Sequence, residues 1–215
     1  MWAAEDFRDR SMTPCAESRM VGARLTDPLP MHTVDAIHSR RSIRAYQPRP
    51  VDHPVVEEIL WDAAQAPTPP VSGPEPFAFV VIDGAEKVAL YGMQALAFAQ
   101  QNRPPGPGYD WLDRDDFSVF FDAPVVIVIC AVPDELGQAV QDCNRAGQNL
   151  MLSAQARGLG TCWVGSPMQW LRDPLTRTKL AIPDTHMPYA AFTLGYPQGT
   201  PSGSPRGRPP TIWAP

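Results

Sequence analysis

Apolar positions along the chain fall into segments of two different periods, separated by proline- and glycine-rich breaks. In FAFVVID (77–83) and APVVIVICAV (123–132) the apolar residues run on for the length of a strand. The second run is apolar on both faces, which predicts a central strand covered on each side. TCWVGS (161–166) predicts a short third strand ending at Gly165, and YAAFTLGYP (189–197) a fourth. Helical spacing marks 33–40, where Val34, Ile37 and His38 share a face, and 84–101. A further helix is predicted behind Asp52 as its cap, with Pro54 in the first turn and a stripe of Val55, Val56, Ile59, Leu60 and Ala63. The longest helix is predicted over 135–157: Val140, Cys143, Gly147, Leu150, Met151 and Ala154 recur at three and four residues, and Gly158 or Gly160 ends it. Its small residues predict the close approach of another helix. Helices between strands give an α/β order.

The 26 prolines cluster at 67–76, 104–107 and 201–210, and mark loops between strong apolar segments. Residues 31–215 are expected to form a single domain with an extended C-terminal tail. Residues 1–30 read as a loosely held extension: they are polar, carry acids early, and lack the basic start and apolar run of a secretory signal. No stretch reaches the roughly 18 to 20 apolar residues that span a bilayer, so no membrane partner and a cytoplasmic location are expected. The formal net charge of −5 argues against a nucleic-acid partner. Cysteines at 15, 130, 143 and 162 show neither CxxC nor zinc-ligand spacing, so they are read as reduced thiols with no metal site.

Against that acidic balance stands RRSIRAYQPRPVD (40–52), with Arg40, Arg41, Arg44 and Arg49 inside ten residues. Guanidinium forks match phosphate oxygens, and the Ser42 hydroxyl adds a donor. If the loop is extended, Arg40, Ser42 and Arg44 face one ligand and Arg41 points elsewhere unless the chain turns. The plainer alternative is a solvated basic loop paired with Glu57 or Glu58. Arg206 and Arg208 form a second basic pair at alternate spacing in the tail. GLGTCWVGS (158–166) offers glycines where backbone could approach a flat ligand, or simple helix caps. Neither GxGxxG after a strand nor GxxxxGK[ST] occurs.

RRSIRAYQPRPV, DCNRAGQNLMLSAQARGLGTCWVGS and AFTLGYPQGTPSGSPRGRPP, in this order between about 33 and 210, together resemble the nitroreductase family of FMN-dependent oxidoreductases. The resemblance implies an α/β (α+β) fold in which helices flank a central, mainly antiparallel sheet, built as an intertwined homodimer with FMN at the interface. It implies that Arg40, Ser42, Arg44, Arg206 and Arg208 hold the FMN phosphate and the polar edge of the ring, with Arg41 contacting it largely through backbone. It places Trp163, Val164, Gly165 and Ser166 against the isoalloxazine, and Thr68 and Pro69 where the partner subunit contributes. The chain departs from the family's pattern at PTPPVSGPEPFAF (67–79), which lacks an asparagine and carries Glu75 and Phe77 where glutamine and tryptophan are usual.

The implied chemistry is a ping-pong cycle: NAD(P)H as co-substrate gives hydride to flavin N5, and a small-molecule acceptor such as a nitroaromatic, a quinone or a related conjugated compound then takes its place. No side chain is named as catalytic, because the flavin carries the redox chemistry. Tyr109 and Trp111 are candidate walls of the substrate pocket; Phe117, Phe120, Met168 and Trp170 suit either the pocket or the core. Two alternatives stay open: another flavoenzyme on the same fold, either a dehydrogenase or an enzyme that fragments its flavin, and a non-catalytic protein that sequesters FMN.

Overall fold

The unbroken apolar run at 125–131 becomes the middle of a sheet. The computed structural model describes residues 31–73, 75–106, 108–199, 201–203 and 206–214. The expectations placed on residues 1–30, Cys15 among them, lie outside the described residues. Four strands, β1 (Ala78–Asp83), β2 (Val125–Ala131), β3 (Gly160–Trp163) and β4 (Met187–Gly195), pair in the order β1-β2-β4-β3, antiparallel throughout. Every residue of β2 is buried, as its two apolar faces require.

Among the described residues six helices surround the sheet: α1 (Thr33–Ser39), α2 (His53–Ala64), α3 (Ala85–Asn102), α4 (Gln138–Ala156), α5 (Met168–Arg172) and α6 (Pro174–Lys179). On one face Val125, Ile127 and Ile129 pack with Ile59 of α2 and with Cys143, Ala146 and Leu150 of α4. On the other, Val126, Val128 and Cys130 pack with Val88 and Ala95 of α3 and with Trp170 and Leu171 of α5. Burying a valine or isoleucine side chain contributes roughly 1.5–3 kcal/mol, so β2, packed on both faces, anchors two cores at once. Residues 31–215 gather into one unit around it.

The small residues of α4 let a strand in as well as the helix α2. A Cβ on Gly147 would stand 2.9 Å from Cε2 of the Phe192 ring in β4 and closer still to its Cζ, so only glycine allows that approach. The helix starts at Gln138 rather than 135. Gly137 is left-handed (φ 70°), and the Asp134 carboxylate accepts from the N–H groups of Leu136, Gln138 and Ala139. Val140, expected in the apolar stripe, is exposed, while Asp142 is buried.

Other expectations are corrected in detail. Asp52 precedes α2, but its side chain makes no capping hydrogen bond. In α1 the face of Val34 and Ile37 is exposed, and Ala36 is the residue that packs inward. The strand expected over 161–166 is shifted: β3 begins at Gly160 and ends at Trp163. Gly158, at φ +74°, stands just beyond the end of α4. Gly160 serves packing, since a Cβ there would meet Ile43 Cβ at 2.8 Å. The short helices α5 and α6 have no counterpart in the sequence-based expectations. The described tail from 201 to 214 is neither helix nor strand, and Ile212 and Trp213 are almost fully exposed.

Candidate functional site

The basic stretch after α1 runs extended beside the sheet and is stitched to it at two points. Ser42 bridges Thr161 of β3, and Ile43 N–H donates to the Thr161 carbonyl at 2.9 Å. Further on, Tyr46 bridges Pro197; Gln47 N–H donates to the Tyr196 carbonyl and Gln198 N–H to the Ala45 carbonyl, each at 2.9 Å. Residues 196–198 directly follow β4 and open the C-terminal tail. The tail that carries the second basic cluster therefore departs from the place where the arginine stretch is anchored.

Between the two clusters lies a cleft of about 930 Å³. Arg40, Arg41 and Ser42 line it from one side, and Gly203, Arg206 and Arg208 from the other. Among the described residues no carboxylate lines it. Among the described residues, none of these arginines, nor Arg44, has a carboxylate within 4.0 Å; the ion pairs belong to His53, Arg103, Arg114, Arg145 and Arg157. The expected alternative of a loop neutralised by Glu57 or Glu58 is thus not what forms. Four guanidinium groups and a hydroxyl, with no acid among them, suit a phosphomonoester, a ligand with nearly two negative charges and three acceptor oxygens. The cleft is also large enough to take more than a phosphate.

The alternation expected along the stretch is overturned in one respect. Arg40 and Arg41 both line the cleft, and it is Arg44 that departs. Arg44 lines an adjoining hollow of about 390 Å³ with Gln198 and Gly199, and Ser42 forms the wall between the two spaces. The Arg44 guanidinium stands 5.8 Å from the centre of the Phe121 ring, within cation–π range.

Cys162, read from its spacing as a reduced thiol, lies buried under this stretch. Burial pushes its thiol up, while Arg44, Arg40 and Ser42 pull it down. The seam beneath them is closed by a hydrogen-bond chain. Cys162 N–H donates to Thr193 Oγ1 at 3.1 Å, Thr193 Oγ1 meets Tyr46 Oη at 2.6 Å, and Tyr46 Oη donates to the Ile43 carbonyl at 2.8 Å. Reasoning from sequence misses Tyr46 and Thr193. Their signals are a tyrosine inside the basic motif and a lone hydroxyl residue in the otherwise apolar AAFTLG.

The remaining candidates stand apart from the arginine cleft of their own chain. Trp163 is exposed at the end of β3 and Val164 is buried; Gly165 and Ser166 follow in the turn before α5. None of the four lines the cleft. Thr68 and Pro69 lie half-buried just before a single 3₁₀ turn (Pro70–Ser72), also outside it. Tyr109 precedes a second 3₁₀ turn (Asp110–Asp113), in which the Trp111 ring meets Phe117 edge-on at 4.9 Å; neither residue lines the cleft. Phe120 and Trp170 are buried core residues. Among the described residues no group of three His, Cys, Asp or Glu side chains could hold a metal ion, and no helix is long and apolar enough to cross a membrane.

Three kinds of similarity agree with this architecture. The model of the family described as "Nitroreductase family" matches residues 37–196. A protein of Methanothermobacter thermautotrophicus, provisionally named an NADH dehydrogenase/NAD(P)H nitroreductase, is 32% identical over 170 residues, covering 78% of each chain. A nitroreductase with bound FMN from Bacteroides fragilis superposes with a TM-score of 0.73 at 22% identity, over 86% of this chain and 98% of that one. A Desulfovibrio desulfuricans protein, provisionally named a nitroreductase and solved in complex with FMN, gives a TM-score of 0.60 at 26% identity, over 82% of this chain and 92% of that one. With a family match across most of its length, and a fold shared with solved members, this chain belongs to the nitroreductase family.

Proposed function

We propose that the protein is an FMN-dependent oxidoreductase that takes hydride from NAD(P)H and passes it to nitroaromatic, quinone or related conjugated acceptors. The observation that carries this reading is the arginine cleft, where two segments more than 160 residues apart supply cations with no acid among the described residues to neutralise them. Arg40, Ser42, Arg206 and Arg208 hold the phosphate as charge-assisted hydrogen-bond donors. Arg44, across the wall formed by Ser42, keeps a positive charge beside the same ligand, where it favours negative charge on the bound group. Bound FMN supplies the hydride-accepting ring. The protein's task is then to bind and orient it, and no side-chain acid or base is required.

The exposed Trp163 and the turn at Gly165 and Ser166 lie at the end of the strand beside Arg44's stretch, which suits them to the ring. The family resemblance extends the reading to a homodimer, with Thr68 and Pro69 reaching the ligand of the opposite chain. Such an assembly also gives the exposed Ile212 and Trp213 a surface to cover.

The test begins with the absorbance spectrum of the purified protein and the mass of whatever it releases on denaturation. FMN released in near-stoichiometric amount, followed by NAD(P)H oxidation with menadione or a nitrofuran, is the expected result. A protein that purifies colourless and does not take up added FMN overturns the reading. Bound FMN that NAD(P)H fails to bleach in stopped flow leaves the sequestering alternative in its place.

A further inference from the structure

A phosphomonoester carries about 1.5 to 2 negative charges near neutral pH, yet four guanidinium groups line the cleft. One of them is differently engaged. Arg41 Nη1 donates to the carbonyls of His38 at 2.8 Å and Arg40 at 2.9 Å, at the end of α1. The edge of the same guanidinium is pressed against the tail. A Cβ on Gly203 would collide with Arg41 Nε and lie 2.6 Å from its Cζ. Such an approach is far below van der Waals distance, so any side chain at 203 has to displace Arg41.

The tail needs an anchor at this point. Among the described residues, the last backbone hydrogen bond from the tail to the body of the chain is Gln198 N–H to the Ala45 carbonyl. Arg206 and Arg208 follow with no helix or strand to hold them. A charge on a free tail must lose its conformational freedom when it meets a ligand, whereas one already held over the cleft loses little.

We propose that Arg41 is a positioning residue: it clamps the tail at Gly203 and so presents Arg206 and Arg208 to the anion, rather than binding the anion with its own side chain. Glycine is required at 203 because the clamp occupies the space of its side chain. The proposal deepens the FMN reading and rests on it only where cofactor affinity is measured.

The experiment compares Gly203→Ala, Arg41→Ala, Arg41→Lys and the Arg41→Ala/Gly203→Ala double variant in the full-length protein. Tryptic cleavage after Arg206 reports tail docking independently of any ligand. Titration of flavin-stripped protein with FMN reports affinity. The clamp predicts that Gly203→Ala and Arg41→Ala each speed cleavage several-fold and weaken FMN by roughly tenfold, the loss expected when one charge-assisted hydrogen bond is misplaced. It predicts that the double variant is no worse than Arg41→Ala, because the group with which the new methyl collides is already gone. Arg41→Lys keeps the charge but not the planar fork, so it is expected to behave like Arg41→Ala. If Arg41 is instead a ligand, Arg41→Lys retains much of the affinity and Gly203→Ala weakens FMN without speeding cleavage, and the clamp is overturned. Additive effects in the double variant overturn it as well. Accelerated, non-additive cleavage in a protein that takes up no FMN keeps the clamp and removes the flavin reading; FMN binding with unchanged cleavage does the reverse.

Discussion

Two concave regions of this molecule are lined by charge of opposite sign, and they differ in how far their buried or anchoring charges are engaged with one another. In the hollow of about 390 Å³ where β2 gives way to α4, Ser72, Glu75, Asp134, Glu135 and Asp142 form part of the wall. Asp142 accepts from Ser72 Oγ at 2.7 Å and is paired with Arg145. Asp134 accepts three backbone N–H groups, and those bonds, with Ala139 first, hold its carboxyl below the usual range. In the arginine cleft no carboxylate among the described residues meets the guanidinium groups. Acids satisfied from within the chain fasten the fold. Cations left unsatisfied define a place for something from outside. Substitution in the first region should therefore cost stability and leave affinity alone, and in the second the reverse.

The largest effect should come from taking one arginine from each side of the cleft. Removing a single charge-assisted hydrogen bond costs about 1.5–3 kcal/mol, so Arg40→Ala/Arg208→Ala loses about 3–6 kcal/mol of FMN binding if the two act independently. That corresponds to roughly a hundredfold to several-ten-thousandfold in affinity. The double variant is expected to leave gel filtration without flavin, yet unfold in urea at the wild-type midpoint. A variant that keeps its flavin removes these two residues from the site. One that loses stability as well shows that the cleft belongs to the fold.

Asp142→Ala is the converse, and somewhat smaller. It strips the acceptor from Ser72 and Arg145 and releases the proline-rich turn at 70–72 from α4. The aspartate is buried, but Arg145 is 40% exposed and recovers solvent, so the cost expected from denaturant unfolding is about 2–3 kcal/mol rather than that of a fully buried pair. Asp142→Asn still accepts from Ser72 and should lose less. A fall in FMN affinity as large as the fall in stability would show that the departing segment at 67–79 reaches the site after all.

The same contrast explains how much was legible in the sequence. β2 was legible because seven consecutive residues are buried, and burial on both faces leaves an unbroken apolar run. The arginines were legible because unpaired charge concentrated in an acidic chain is conspicuous without any structure. Asp142 was not. A lone acid on a helix reads as solvent-facing until Ser72, seventy residues away, is known to cover it. The short helices α5 and α6 have too few residues to show a period, and the start of α4 is set by Gly137 in a left-handed conformation rather than by apolar spacing. Arg44's departure from the cleft was hidden for another reason: alternation predicts one face only while a strand stays straight and regular, and this stretch meets the sheet only at isolated bridges.

The smallest effect tests the layer that joins fold and site. The chain from Cys162 N–H through Thr193 and Tyr46 to the Ile43 carbonyl runs in one donor direction, so each hydroxyl gives one proton and accepts one. Tyr46→Phe removes both hydrogen bonds of the Tyr46 hydroxyl. Thr193 Oγ1 can turn to the Cys162 carbonyl 3.3 Å away, which leaves the Ile43 carbonyl as the lone acceptor without its partner. About 1 kcal/mol of stability is expected to go. Burial raises the Tyr46 phenol well above the ordinary range, and Thr193 opposes this only in part. Below pH about 10 the phenol is protonated in folded and unfolded chains alike, and its contribution is present in full. As pH rises further the unfolded chain ionises first, so stability falls. Cys130 and Cys143, whose thiols burial pushes up to about 12, add to that fall in both proteins; the difference between wild type and Tyr46→Phe isolates the tyrosine. That difference should be constant to about pH 9 and shrink above about pH 10, with FMN affinity unchanged at neutral pH. If affinity falls with the hydroxyl, the seam sets the position of Arg40 and Ser42, and the division between charges that fasten the fold and charges that await a ligand does not hold at the point where the two meet.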